Sequence, residues 1–257
     1  MILAVWEDAT NYSYPIIVQD NKGDAKVVEL FVNDSIKQLV WEYFVPVIIQ
    51  ESDYDKLSKS LAENRSFSYI ERFNDDNLKV MDPNGNILNA SPQDYFIDQN
   101  LSLIISNYAL NTSSLNPELS SYFEDKNFST SFRLGAKYQD AAIYSNKFLK
   151  SDLVNLADLY LEEARNYLES SDLNNKDAFK QKIDLLEIKK HLILDKPKKA
   201  SRLLKKYEDK DIDDINSSLF AFLKFTSYRY LNNIEEALIW KEQVLQIDLN
   251  KVKFIIN

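Results

Sequence analysis

Strand-length apolar runs are confined to the first part of this chain. "ILAVW" (2–6), "VPVIIQ" (45–50), "LKVM" (78–81) and "NIL" (86–88) alternate with helical stretches such as "DSIKQLVWEYF" (34–44). Beyond about residue 121 the strand signals nearly vanish, and apolar residues recur at helical spacing. That order predicts an α/β domain followed by an all-α domain. A chain of 257 residues also exceeds what one small core needs, so two domains are expected. The segment "NTSSLNPELSS" (111–121) is polar, carries Pro117 and lacks an apolar period, which places the boundary there. The domains are then 1–115 and 122–257.

In the first domain, Asp34 or Ser35 caps a helix whose Ile36, Leu39, Val40 and Tyr43 share one face, and the Val/Ile-rich run after it reads as a buried strand. "MDPNGNIL" predicts two antiparallel strands, with Pro83 presetting the turn and Gly85 tolerating positive φ. A last helix carries Leu101, Ile104, Ile105 and Tyr108 on a common stripe. Between residues 14 and 32, Pro15 and "DNKGD" leave two readings open: a displaced helix, or a β-hairpin around Gly23. In the second domain six helical stretches fit, at about 131–147, 151–169, 176–194, 197–207, 214–231 and 233–247. Their short connections make three helical hairpins.

Charge and composition narrow the chemistry. A formal net charge of -9 repels phosphate backbones, so nucleic acid is not an expected partner. The basic stretch "KPKKASRLLKK" (196–206) reads as a solvated helix face. Hydrophobic residues make up 45% and charged residues 28%, which suits a chain with a substantial core. No apolar run approaches a membrane span, so membrane insertion is not expected. The chain has no cysteine, which removes disulfides, thiolate metal sites and thiol nucleophiles. With a core strand expected at residues 2–5, no signal peptide fits ahead of it. The expected compartment is the cytoplasm, or the periplasm where a leader has been removed. Abundant Lys, Asn, Ile, Asp and Ser point to an AT-rich, bacterial source.

Candidate catalytic and metal groups are sparse. His191 is the only histidine, and no nucleophile or orienting partner stands beside it in sequence, so a packing role is expected. With one histidine and no cysteine, no zinc site or other metal site is expected, and no cofactor is expected. Acidic clusters at Asp75, Asp76 and Asp82 and at Asp211, Asp213 and Asp214 invite a hard cation, but "DKDIDDINSS" lacks the central Gly and closing Glu of a calcium loop and reads as helix capping. The glycines, at 23, 85 and 135, are too dispersed for a phosphate loop.

The string "NDSIKQLVWEYFVPVIIQESDYDKL" with the later "LKVMDPNGNIL" resembles thioredoxin-like domains, in which a helix leads into a central strand and an antiparallel pair with an Asp-Pro-x-Gly turn follows. The resemblance implies that "ILAVW" is the strand before the redox motif. The paired cysteines of an active relative then fall at Thr10 and Ser13, and the family's cis-proline position at Asp76. Hydroxyls cannot attack and release a disulfide as a pair of thiols does. The second half resembles tetratricopeptide-type repeats: "LGAKY" (134–138) matches a first-helix word, while "NIEEALIWKEQVLQIDLN" (233–250) and "DKPKKASRLLKKY" (195–207) match second helices. The resemblance implies small residues at helix crossings, Ala200 and Ala237 among them, with Leu238, Val244, Leu245 and Ile247 packing inward.

Together these readings describe a thioredoxin-like N-terminal domain without redox cysteines and a helical-repeat C-terminal domain. The expected function is non-catalytic interaction with a protein or peptide partner. The chain by itself is no thiol-disulfide oxidoreductase. A ligand module for peptides or glycans, or non-thiol chemistry at the altered motif loop, stands as the alternative. Tyr12, Tyr14, Tyr138, Tyr144, Tyr228 and Tyr230 are the candidate binding surface, since tyrosine supplies contact area at small entropic cost.

Overall fold

The structure, a computed structural model, describes residues 1–20, 22–62, 65–90, 98–207 and 211–256. The chain divides into two compact units, Met1–Asn116 and Pro117–Asn257. Among the described residues the first unit runs β1 (Ile2–Trp6), β2 (Pro15–Gln19), β3 (Ala25–Glu29), α1 (Asp34–Tyr43), β4 (Val45–Ile49), α2 (Tyr54–Ala62), α3 (Phe67–Asn74), β5 (Lys79–Met81) and α4 (Leu101–Tyr108). The second runs α5 (Asn116–Glu124), α6 (Phe128–Tyr144), α7 (Lys147–Ser170), α8 (Lys176–Ile193), α9 (Pro197–Leu204), α10 (Ser217–Tyr230), α11 (Ile234–Lys241) and α12 (Gln246–Ile256). A small mixed-strand region thus precedes a largely helical one.

In the first unit β1 is the middle of a three-stranded sheet. It lies parallel to β4, with Ile2 opposite Val45, and antiparallel to β5, with Leu3 opposite Val80. Leu3 through Trp6 are all buried, as in a strand covered on both faces. The "VPVII" strand departs from expectation. It is not central and largely not buried: β4 is an edge strand, and Val45, Val47 and Ile48 are exposed. Hydrophobicity alone cannot say whether a neighbouring strand lies on the outer side, and none does among the described residues. Val45 N–H donates to the Met1 carbonyl at 3.0 Å, so the alternation of a parallel ladder turns the backbone groups of Pro46 and Ile48 to the open side. Pro46 is tolerated there because no ladder donor is required of it.

The two readings of residues 14–32 resolve to the hairpin: β2 pairs antiparallel with β3, Pro15 opposite Glu29. Gly23, at φ +86°, supplies the left-handed residue of the turn, and Asp20 accepts the N–H groups of Lys22 and Asp24. The hairpin is held to the start of α4, where Ile17 N–H donates to the Gln99 carbonyl at 2.8 Å. The "DPNG" turn forms as well. Gly85 sits at φ +82°, the Asp82 carboxylate accepts from Asn84 and Asn86, and a single antiparallel bridge joins Met81 to Ile87. The helix cap on α1 is Asn33, whose side chain accepts from Ile36 N–H, rather than Asp34 or Ser35. Of the apolar face expected on α1, Ile36 and Val40 are buried and Tyr43 is exposed. On α4, Leu101, Ile104 and Tyr108 are buried.

The stretch expected as a polar boundary loop is largely helical. Ser113–Leu115 form a 3-10 turn, α5 follows at once, and Leu115, Leu119 and Tyr122 are buried. Pro117 does not oppose this, because the first turn of a helix needs no N–H donor from it. The helix expected from 131 begins at Phe128, after a capping box in which Asn127 and Thr130 satisfy each other's backbone N–H groups. The last expected helix, 233–247, is two helices. Gln243 N–H donates to the Trp240 carbonyl and Val244 N–H to that of Lys241, which turns the chain between α11 and α12. Ala237 and Val244 are buried as expected, but Leu238, Leu245 and Ile247 face outward: the turn takes Leu245 and Ile247 off the face of α11, and Leu238, inside α11, lies off the side on which Ala237 is buried.

Close helix approach governs the second unit. A Cβ added to Gly135 on α6 would lie 2.8 Å from Leu161 Cγ and 3.1 Å from the Ala157 carbonyl on α7, so only glycine permits this crossing. Two hairpin turns repeat the same design. Asp195 and Asn232 occupy the left-handed region at φ 56° and 59°. Behind each, the following N–H reaches back across the helix end: Lys196 to the His191 carbonyl at 2.8 Å, Asn233 to that of Tyr228 at 2.9 Å. Ala200 and Ala237 stand at the same offset from these turns and are both fully buried.

Candidate functional site

The positions matched to the redox motif lie at the end of β1. The chain there enters a 3-10 turn, Glu7–Asn11, and then β2, so no α-helix begins at Thr10 or Ser13. Thr10 Oγ1 donates within its own turn, to the Glu7 carbonyl at 2.7 Å. Ser13 Oγ donates to Glu29 Oε1 at 2.7 Å, and Tyr14 N–H to Glu29 Oε2 at 2.9 Å. Tyr14 Oη then donates to the Asp76 carbonyl at 3.0 Å. The fold therefore brings Ser13, Tyr14 and the exposed Asp76 loop together, while Thr10 is satisfied apart from them.

Beneath this corner lies a polar cluster that sequence reasoning missed. Lys79 on β5 is fully buried; its Nζ donates to the carbonyls of Asp75 and Asn77 and stands 3.4 Å from Asp75 Oδ1. Burial outweighs these contacts and pushes its pKa down to about 8. Arg72 makes two hydrogen bonds to the Asp98 carboxylate, at 2.9 and 2.8 Å, and stands 3.4 Å from Asp75 Oδ2. Burial, then Asp75, holds the Tyr14 phenol well above its ordinary range. Trp6 Nε1 closes the corner by donating to the Phe73 carbonyl at 2.6 Å. The sequence singles out Asp75 and Asp76 as acidic residues, but of the cations that answer Asp75 the one sign is the lysine inside the strand "LKVM". Its groups are engaged with one another, and the arrangement works as a clamp across strand ends.

The six tyrosines do not make one surface. Tyr12 is 77% exposed, and Tyr14 belongs to the corner above. Tyr138 is fully buried and stacks on Tyr160 at 5.6 Å, which corrects its assignment to a binding face. It shares the face of Leu134, one helical turn earlier, and that face packs on α7. Tyr144 is exposed and meets Phe254 edge-on at 4.9 Å. Tyr228 is half-buried beside Lys224. Tyr230 Oη donates to Asp195 Oδ1 at 2.7 Å, and burial together with that carboxylate raises its pKa to about 12; it braces one of the two repeated turns against the other hairpin.

His191 lies in the helix interior at 9% exposure. Burial first, and then Lys199, Lys190 and Lys196, push its pKa down to about 4, so it is a neutral packing group at neutral pH. Lys196, Lys198, Lys199, Arg202, Lys205 and Lys206 are exposed. Asp213 caps the turn Asp214–Asn216 by accepting from Ile215 N–H; the first two residues of "DKDIDDINSS" fall outside the described residues. Among the described residues no group of three His, Asp or Glu side chains is placed to hold a metal ion, and no helix is long and apolar enough to cross a membrane.

Among the described residues each unit carries an open groove. A groove of about 310 Å³ runs beside β1, β4 and α1, with Phe31, Trp41, Pro46, Val47 and Ile48 in its walls and Lys37 as its sole charged group. Trp41 is 64% and Ile48 53% exposed. The second, about 420 Å³, lies among α10, α11 and α12. Its floor and walls are Phe225, Leu238, Leu249, Val252 and Ile256, and its charged groups are Arg229, Lys241 and Lys253. Comparisons of the chain with protein-family models, with curated proteins and with solved structures each return no match.

Proposed function

We propose that this chain is a non-catalytic interaction protein, a thioredoxin-like domain without redox thiols joined to a tetratricopeptide-like helical domain that docks a protein or peptide. Support for the first half is the pairing of β1, parallel to β4 and antiparallel to β5, with the loop after β1 meeting the loop before β5 through Tyr14 and Asp76. Thiol exchange is chemically closed to a chain without cysteine. The corner also lacks a helix N-terminus to favour an anionic nucleophile. Support for the second half is the twice-used turn at Asp195 and Asn232 with its buried alanines, and the close crossing at Gly135.

The observation that carries the docking role is the open groove among α10, α11 and α12, where Leu238 is exposed and Leu249 and Ile256 are half-buried over the buried Phe225 and Val252. The test is selection of the full chain against a random peptide library displayed on phage. Enrichment of a family of related peptides is expected, alongside no reduction of insulin disulfides by the same protein. Absence of any enriched family, or measurable insulin turnover, overturns the reading.

A further inference from the structure

The groove of the second unit is opposite in charge to the protein that contains it. The chain carries a formal -9, yet the charged groups lining this groove are Arg229, Lys241 and Lys253, with no carboxylate among them. None of the three makes an ion pair among the described residues, whereas neighbouring lysines are paired: Lys251 lies 2.9 Å from Asp140 and 3.0 Å from Asp248. The cations come from three different helices, α10, α11 and α12, around apolar side chains supplied by the same helices. Leu238, at the groove's edge, is 56% exposed.

We infer that this groove receives an amphipathic acidic peptide segment of a partner protein, its apolar side chains on Leu238, Leu249 and Ile256 and its carboxylates toward Arg229, Lys241 and Lys253. The inference rests on the docking reading above and specifies the partner's chemistry. Apolar contact supplies most of the affinity, while rim charges set orientation, association rate and salt dependence. A second copy of this acidic chain is disfavoured by like charge. So is an anionic bilayer, against which the net charge of the whole molecule acts.

The full-length protein is selected against the random phage library, and the enriched peptides are synthesised with a fluorescent label for anisotropy titration. The expected family combines Asp or Glu with Leu, Ile or Phe at helical spacing. The double variant Arg229→Glu/Lys241→Glu is expected to weaken binding by about tenfold or more and to flatten its salt dependence. Lys253→Ala gives a smaller loss in the same direction, and unchanged circular dichroism shows that both variants fold. Enriched peptides that are basic or uncharged, or acidic peptides that bind the double variant as well as the parent, overturn the acidic-partner inference while the docking reading stands. No enrichment at all removes both. Stronger sedimentation with vesicles of equal phosphatidylserine and phosphatidylcholine than binding of any selected peptide, or dimerisation through the groove, likewise overturns it.

Discussion

The two units bury charge in different ways. In the first, Lys79 lies at the end of a strand, and its ammonium is satisfied mainly by backbone carbonyls from one loop. In the second, Lys189 on α8 is 2.6 Å from Asp140 on α6, and the other oxygen of that carboxylate takes Lys251 of α12 at 2.9 Å. One carboxylate thus ties three helices together. The contrast teaches that a buried cation serves stability according to what answers it. Burial lowers the pKa of both cations, Lys79 to about 8 and Lys189 in the same direction. What differs is reach: the carbonyls that answer Lys79 belong to one nearby loop, whereas the shared carboxylate makes Lys189 a cross-link between helices, and the two lysines hold Asp140 below its ordinary range despite burial.

Removing the shared carboxylate is the most direct way to break this contrast. Asp140→Ala leaves the buried Lys189 without its carboxylate and Lys251 with Asp248 alone, and should lower stability of the helical unit by about 2–3 kcal/mol. Hydrogen exchange resolved by peptide should show the loss in α6, α8 and α12, with β1, β4 and β5 unchanged; equal loss in both units would mean that the network is not local. Gly135→Val comes next, at about 2 kcal/mol, because its side chain meets the immovable Ala157 carbonyl. A urea midpoint equal to that of the parent would refute the close crossing.

For the first unit the sharper measurement is against pH. The folded pKa of Lys79 lies below the unfolded value, so the unfolded chain holds the extra proton between about pH 8 and the ordinary lysine value of 10.5. Stability from this group therefore rises with pH across that window, by up to about 1.4 kcal/mol per pH unit. Lys79→Met should abolish that slope relative to the parent, and identical pH profiles would show that the ammonium is not the group responsible. The smallest expected effect is at the repeated turn. Asn232→Ala places a side chain less suited to φ 59° and should cost about 1 kcal/mol, seen as a lowered thermal midpoint, whereas Asn232→Gly should not.

Much of the architecture was legible because it rests on local chemistry. Gly23 and Gly85 mark turns that form at positive φ, and Ala200 and Ala237 mark helix approaches with no exposed surface. What escaped depends on distant neighbours. The run "VPVII" has the composition of an inner strand, yet its outer neighbour is missing among the described residues. Leu238 and Leu245 continue a helical period through a turn that no Gly or Pro announces. The site was less readable still. Tyr138 and Tyr144 lie on one helix, about 120° apart around its axis, and which of the two faces is covered is decided by the position of α7. Arg72 and Asp98 are far apart in sequence, so their paired hydrogen bonds are invisible before folding. The abundant asparagines have a structural use: Asn33, Asn100, Asn127, Asn146 and Asn233 each accept a backbone N–H at a helix start.

Pro46 governs how the side of β4 that no described strand covers can meet other molecules. Its imino nitrogen has no hydrogen to give, so a ribbon laid along that side finds a break in its seam beside Ile48. Copies of the molecule brought edge to edge would share this defect at every junction, and the gap works against fibre growth while leaving the rest of the border adhesive.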